Sequence, residues 1–256
     1  MRIYLTSLLF FALTISSSVG QARIALTYEP TKLDPVLKKL GSELEAPAKY
    51  VEMALPKVRN IKVSFQECGE RNASYESGER RLVFCYELIA YLAKNALAVF
   101  PEAEQQAMGT DLAVEAFHRA MLFVFFHEVA HAYIDLADRR ITGNEEDVAD
   151  QVATFLMWDV GIDDVSLLGG FVFFEIDEHT ELDVWDEHSP DARRLANLAC
   201  WSYGAEPQNT DELFTTVGNA LGDPDSMARR KERCGQEWSR IKKAWSKVVK
   251  TTKEAP

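Results

Sequence analysis

The chain has 256 residues, 47% of them apolar or aromatic, which is enough for a substantial core in one large domain or two small ones. Its formal charge of −12, from 40 Asp and Glu against 28 Lys and Arg, argues against nucleic acid or an anionic membrane surface as a partner.

Residues 1–22 begin with Arg2, continue through an apolar run from Ile3 to Ile15 and end in Ser16, Ser17, Ser18, Gly20 and Ala22. A basic start, a short apolar stretch and small residues describe an export signal, cleaved near Ala22 or Gly20, rather than a membrane span. No later stretch reaches spanning length, and no Cys near the cleavage region offers a lipid anchor. The expectation is a signal peptide over 1–22 and a single exported domain over 23–256, periplasmic or secreted. Removing Arg2 takes its charge to −13.

Residues 24–29 (IALTYE) and 61–66 (IKVSFQ) alternate partly between apolar and polar and are predicted strands. Between them Leu33–Leu55 has helical spacing, with Pro56 as its stop. Asn72, Ala73, Ser74 and Tyr75, a polar turn around Gly78, and Leu82, Val83 and Phe84 describe a hairpin. Four cysteines in an exported chain invite pairing, and no two stand at C-x-x-C spacing. Cys68 with Cys85 and Cys200 with Cys234 is the connectivity that joins neighbouring elements, the first bond closing the hairpin. Asn72-Ala73-Ser74 also fits the short glycosylation sequon. A helix over about Tyr86–Val99 ends at Pro101, and a polar link through Thr110 leads to the next element.

That element, Leu112–Leu136, is apolar around most of its circumference and reads as a buried central helix. It contains His127-Glu128-Val129-Ala130-His131, an H-E-x-x-H match. Residues four apart share a helix face, so both imidazoles can converge on one cation with Glu128 beside them. Zinc suits two neutral imidazoles and a third protein ligand, with water in the fourth position. Glu128, too near in sequence to be a comfortable third ligand, is then free to act as general base. His118 lies off this face and is read as structural. Zinc peptidases commonly bind an extended chain at a sheet edge, so Asn72, Ala73, Ser74 and Tyr75 are candidates for a substrate edge.

Gly143 is expected to break the central helix, and Asn144 to cap a new one over about Glu145–Trp158. Its first turn carries Glu145, Glu146 and Asp147, where the helix dipole favours acids. Glu146 is the candidate third metal ligand and Glu145 the alternative. Asp150, one turn on, is placed to hydrogen-bond the outer nitrogen of a ligating histidine.

His127-Glu128-x-x-His131 followed by Glu146-x-x-x-Asp150 resembles the gluzincin group of zinc metallopeptidases, whose third ligand is the Glu of an E-x-x-x-D segment. It is unlike the metzincins, since Ile134 and Ala137 stand where that group needs Gly and His. His188-Ser189-Pro190 with Arg194-Leu195 is similar to the H-P-x-x-x-x-R segment of membrane-linked gluzincins, with Ser189 in place of the usual Pro. The wider pattern, including C-G-x-x-N-A-x-Y and D-E-H-S-x-D-x-x-R, resembles a bacterial family of exported metallopeptidase domains over nearly the whole mature chain. The resemblance implies a zincin-like α+β fold of minimal gluzincin type: a small N-terminal sheet, a buried H-E-x-x-H helix and a helical C-terminal half.

Residues 161–187 mix Val172, Phe173, Phe174 and Ile176 with an acidic run around Trp185, and read as a lid or specificity wall or, equally, as a solvated connection. His179 is a reserve ligand there, and Asp177, Glu178, Glu181 and Asp183 match no recognisable calcium-loop pattern. Ser189 as N-cap and Pro190 as first helical residue start the next helix and set His188 beside its positive end. His188 is accordingly assigned to the oxyanion, and Arg194 to orienting the site or pairing with Glu146 or Asp150. Helices over Thr210–Leu221 and Ser226–Val249 complete the chain, with Cys234 on the core-facing stripe of the second.

The expected activity is zinc-dependent hydrolysis of peptide or protein substrates outside the cytoplasm. The alternatives are a catalytically silent binding module on the same scaffold and an amidase acting on a cell-wall amide. An intact Glu128 favours chemistry, because a purely structural zinc site needs no base.

Overall fold

A computed structural model of the chain describes residues 24–31, 44–96, 102–161, 174, 189–222 and 224–250, with the backbone alone over 102–112. It is a mixed α+β structure, mostly helical, with four strands in one sheet and seven α-helices among the described residues. In chain order these are β1 (Ala25–Tyr28), α1 (Glu45–Ala54), β2 (Lys62–Gln66), β3 (Ala73–Glu76), β4 (Arg81–Cys85), α2 (Tyr86–Asn95) and α3 (Glu102–Leu136), then α4 (Glu145–Asp159), α5 (Asp191–Ala205), α6 (Pro207–Ala220) and α7 (Pro224–Trp245).

The sheet order is β1-β2-β4-β3. β1, β2 and β4 run parallel, and β3 returns antiparallel as an edge, with Ser74 opposite Val83 and Tyr75 opposite Leu82. The two central strands are buried along most of their length, which is why Val63-Ser64-Phe65 and Leu82-Val83-Phe84 read as runs rather than clean alternation. Side chains from the sheet meet α3 through stacked aromatics: Phe65 on Phe84 at 5.5 Å between centroids, and Phe84 on Phe125 at 6.4 Å. Phe123, Phe125, Phe126, Val129 and Ala130 are all inaccessible to solvent, so this part of α3 is sheathed on every side. The H-E-x-x-H segment therefore sits at the junction of sheet and helices, where an unpaired charge is expensive.

Both disulfides join neighbouring elements. Cys68–Cys85 ties the segment after β2 to the end of β4, and Cys200–Cys234 ties α5 to α7. With sequence separations of 17 and 34, loop closure assigns them about 3 and about 4 kcal/mol. Among the described residues no helix is long and apolar enough to cross a membrane.

Several predicted boundaries move. α3 begins at Glu102, so the polar link through Thr110 is helical: its Glu, Gln and Ala are strong helix formers despite their polarity. α3 stops at Leu136, before Gly143, because Asp138 takes a left-handed conformation (φ 49°) and Arg139 N–H turns back to the Ile134 carbonyl at 2.9 Å. Pro190 rather than Ser189 is the N-cap of α5, its ψ of 139° being non-helical, and Arg194 N–H bonds the Pro190 carbonyl at 3.0 Å. α6 starts at Pro207, three residues before Thr210, with proline at its first turn. α7 runs from Pro224 and ends at Trp245 rather than Val249, and α2 ends at Asn95 rather than Val99. Of the predicted helix over Leu33–Leu55 only its last part, α1, lies within the described residues.

Candidate metal centre

Two helices face each other here, and each is oriented by a local feature. On α3, His127, His131 and Asp135 recur every four residues and so share one face. On α4, the Asn144 side chain accepts from Glu146 N–H at 2.8 Å and Asp147 N–H at 3.4 Å, capping the helix and fixing the turn that carries Glu145 and Glu146.

The histidine rings are held at their outer nitrogens. His127 Nδ1 lies 2.9 Å from Asp150 Oδ1, and His131 Nδ1 lies 2.9 Å from Glu145 Oε1. A carboxylate only accepts, so each Nδ1 carries a hydrogen, and a ring that gives up its second proton turns an Nε2 lone pair inward. Those two Nε2 atoms are 3.2 Å apart. Glu146 closes the group, with Oε2 3.0 Å from His127 Nε2 and Oε1 3.3 Å from His131 Nε2.

Three acceptors converging on one point need a cation or protons between them. Metal bonds of about 2.0–2.1 Å in tetrahedral geometry put the ligand atoms roughly 3.3 Å apart. The 3.2 Å between the two Nε2 atoms fits that figure, each Nε2 has one Glu146 oxygen at 3.0 or 3.3 Å, and His127, His131 and Glu146 form a group able to hold a metal ion. In the metal-free protein the same field retains protons. Burial acts to lower the His131 pKa, but hydrogen bonds to Glu146 and Glu145 outweigh it and raise the group to about 9. His127 is raised too: burial opposes this, and the hydrogen bonds to Asp150 and Glu146 prevail.

Behind His127 the chain of contacts continues. Arg194, on α5, donates from Nε to Asp150 Oδ2 and from Nη2 to Asp150 Oδ1, both at 2.8 Å. Asp150 is fully buried and Arg194 nearly so. Burial pushes the Asp150 carboxyl up, yet the bonds from Arg194 and His127 win and bring it down to about 2. The Arg194 guanidinium also lies over the Phe174 ring, 4.6 Å from its centroid. Glu145, the alternative ligand, is half exposed and sits on the outer nitrogen of His131.

The metal group opens into a cavity of about 710 Å³ walled on the far side by Asn72, Ala73, Ser74 and Tyr75 of the sheet edge. Glu128 is buried, lines this cavity, and its charge is felt by both histidines. A smaller cavity of about 70 Å³ abuts it across His127 and Glu128 and is lined by Arg71, Phe123 and Arg194. Sequence reasoning missed Asp135, which lines the main cavity and accepts from Tyr75 Oη at 2.8 Å. The four-residue recurrence from His127 through His131 was the signal that pointed to it. His188, His179, Trp185 and the acidic run from Asp177 to Asp183 lie outside the described residues.

A family model described as "Putative metallopeptidase" matches residues 28–249. No curated protein and no solved structure matches the chain.

Proposed function

The chain belongs to the family described as "Putative metallopeptidase", and from that premise we propose that it is a zinc-dependent peptidase of gluzincin type. His127, His131 and Glu146 are the proposed ligands, and the observation that carries the reading is the convergence of one ligand atom from each, all within 4.8 Å of one another. Two imidazoles and one carboxylate are the donor set of catalytic zinc sites with a position left for water. Zinc held there supplies Lewis acidity, bringing a water into the neutral pKa range and polarising a carbonyl.

This chain's own residues do the rest. Glu128, adjoining the ligands in the cavity wall, takes a proton from the attacking water and delivers it to the leaving amine. Asp150 and Glu145 hold the two rings in the tautomer that leaves Nε2 free, and Arg194 keeps Asp150 ionised and aimed. Among the described residues β3 pairs with β4 on one side only, so its other edge offers backbone groups to an extended substrate. His188 is proposed from the sequence as donor to the developing oxyanion. The zincin-like reading rests on the sheet-edge, helix and second-helix arrangement around the metal group. Export rests on the 1–22 signal, and two disulfides agree with an oxidising compartment.

The test is metal analysis of the purified mature protein with cleavage of an unfolded protein, with and without chelator. Chelator-sensitive cleavage, and a Glu128→Gln variant that keeps its zinc but loses hydrolysis, are the expected results. A variant that cleaves at the wild-type rate removes Glu128 from the role of base.

A further inference from the structure

The cavity differs in charge along its length. Asp135 lies one helical turn beyond His131 and lines the cavity beside Tyr75, whose phenol donates to Asp135 Oδ2 at 2.8 Å. Burial and that bond raise the Tyr75 pKa, so the phenol stays neutral.

Charge counting isolates this end. The cavity is lined by four acids, Glu128, Asp135, Glu145 and Glu146, and among the described lining residues there is no Lys or Arg. A divalent ion held by His127, His131 and Glu146 would balance the charges of Glu128 and Glu146, and Glu145 receives the His131 N–H. Asp135 is exposed to the cavity with a neutral phenol as its described partner. Arg80 is close enough for its charge to reach Tyr75, but it does not line the cavity. Across His127 and Glu128, the smaller cavity is lined by Arg71, Glu128 and Arg194, the last already paired with Asp150. Asn72, Ala73, His127 and Glu128 line both cavities, so the two adjoin in a groove at the sheet edge whose acidic end is the Asp135–Tyr75 one.

Resting on the peptidase reading above, we propose that this groove selects substrates by charge, taking a Lys or Arg side chain at the Asp135–Tyr75 end, on one side of the scissile bond. The protein's overall negative charge attracts a basic peptide in any register, whereas Asp135 favours a cation at one position only. An acidic side chain there meets Asp135 and Glu145 and is disfavoured.

The test uses zinc-loaded Glu128→Gln protein and calorimetric binding of matched peptides in which Lys, Gln or Glu is placed at one position at a time. The expected result is a single position where Lys binds about fivefold more tightly than Gln, as a partly exposed ion pair allows. That ratio falls towards one in Asp135→Asn and persists in Tyr75→Phe, which keeps the charge. A Lys preference spread evenly over all positions, or one that survives Asp135→Asn, overturns the proposal. Wild-type protein is assayed on the same peptides. Cleavage without a positional Lys preference sinks the charge selection alone, and position-specific binding without chelator-sensitive cleavage supports the selection while sinking the peptidase reading.

Discussion

The Nε2 atoms of His127 and His131 lie 3.2 Å apart, and carboxylates hold both rings from the opposite nitrogen, so a neutral ring faces its partner with a lone pair. Two lone pairs held that close inside a protein repel unless something positive lies between them. Metal binding should therefore stabilise the fold. At a zinc concentration about a hundredfold above Kd, linkage contributes about 2.7 kcal/mol, or roughly 5–10 °C in Tm for a domain of this size. Differential scanning calorimetry checks this. His131→Ala should erase the zinc-dependent rise, and an equal rise in that variant would place the ion elsewhere.

The pH dependence of the metal-free protein follows from the same field. His131 is raised in the folded state to about 9 from an ordinary value of 6.5: burial lowers it, and the hydrogen bonds it donates to Glu146 and Glu145 overcome that. A raised cationic group stabilises fully below its unfolded pKa, and that contribution is lost as pH climbs from about 6.5 through about 9. Asp150 has the opposite sign: lowered to about 2, it stabilises above its unfolded value and loses that contribution as pH falls towards about 2. Metal-free Tm should thus decline on the alkaline side, while the increment added by zinc grows there as protons cease to compete. A zinc increment that shrinks between pH 6.5 and 9 would contradict the arrangement.

Asp150 and Arg194 form a buried pair in which neither charge has water to fall back on. Removing one partner strands the other. Arg194→Leu should cost about 3–5 kcal/mol by urea unfolding, and Asp150→Asn should weaken zinc binding roughly 10–100-fold through the loosened His127 ring. The double variant should be less destabilised than the two single changes added together, since it strands no charge. Additive losses would show that the two side chains act independently.

How far the sequence revealed these parts depends on how local each one is. The H-E-x-x-H face and the E-x-x-x-D spacing are written in four-residue steps on helices, and helix geometry turns that spacing directly into proximity. The Asn144 cap was equally legible, because capping uses a side chain two or three residues from the N–H it serves. Composition misled at Glu102–Thr110, where polar residues were taken for a link although Glu, Gln and Ala favour helix. The end of the apolar run marks the end of α3 at Leu136, but the reversing residue was hidden: it is Asp138 rather than Gly143, an acid able to adopt the left-handed region that glycine usually marks. Long-range choices were the least visible: spacing alone left Arg194 to pair with Glu146 or Asp150, and only the approach of α5 to α4 puts both of its donors on Asp150.

The packing of α5 on α7 yields a last prediction. The helices are cross-linked at Cys200–Cys234, and one turn on, Gly204 faces the α7 backbone so closely that a Cβ would lie 2.3 Å from the Cys234 carbonyl oxygen and 2.8 Å from Trp238 Cβ. Alanine is the better helix former by about 1 kcal/mol, so an exposed Gly204→Ala would stabilise. Here the clash is with main chain that cannot rotate away, and overpacking of this kind costs about 1–3 kcal/mol. Gly204→Ala should therefore lower the urea midpoint. The disulfide holds the helices in register, so the same substitution should be milder in a Cys200→Ala, Cys234→Ala background, where α7 can move outward. An equal penalty in both backgrounds would mean that core packing around Trp238, rather than the cross-link, sets the spacing of the two helices.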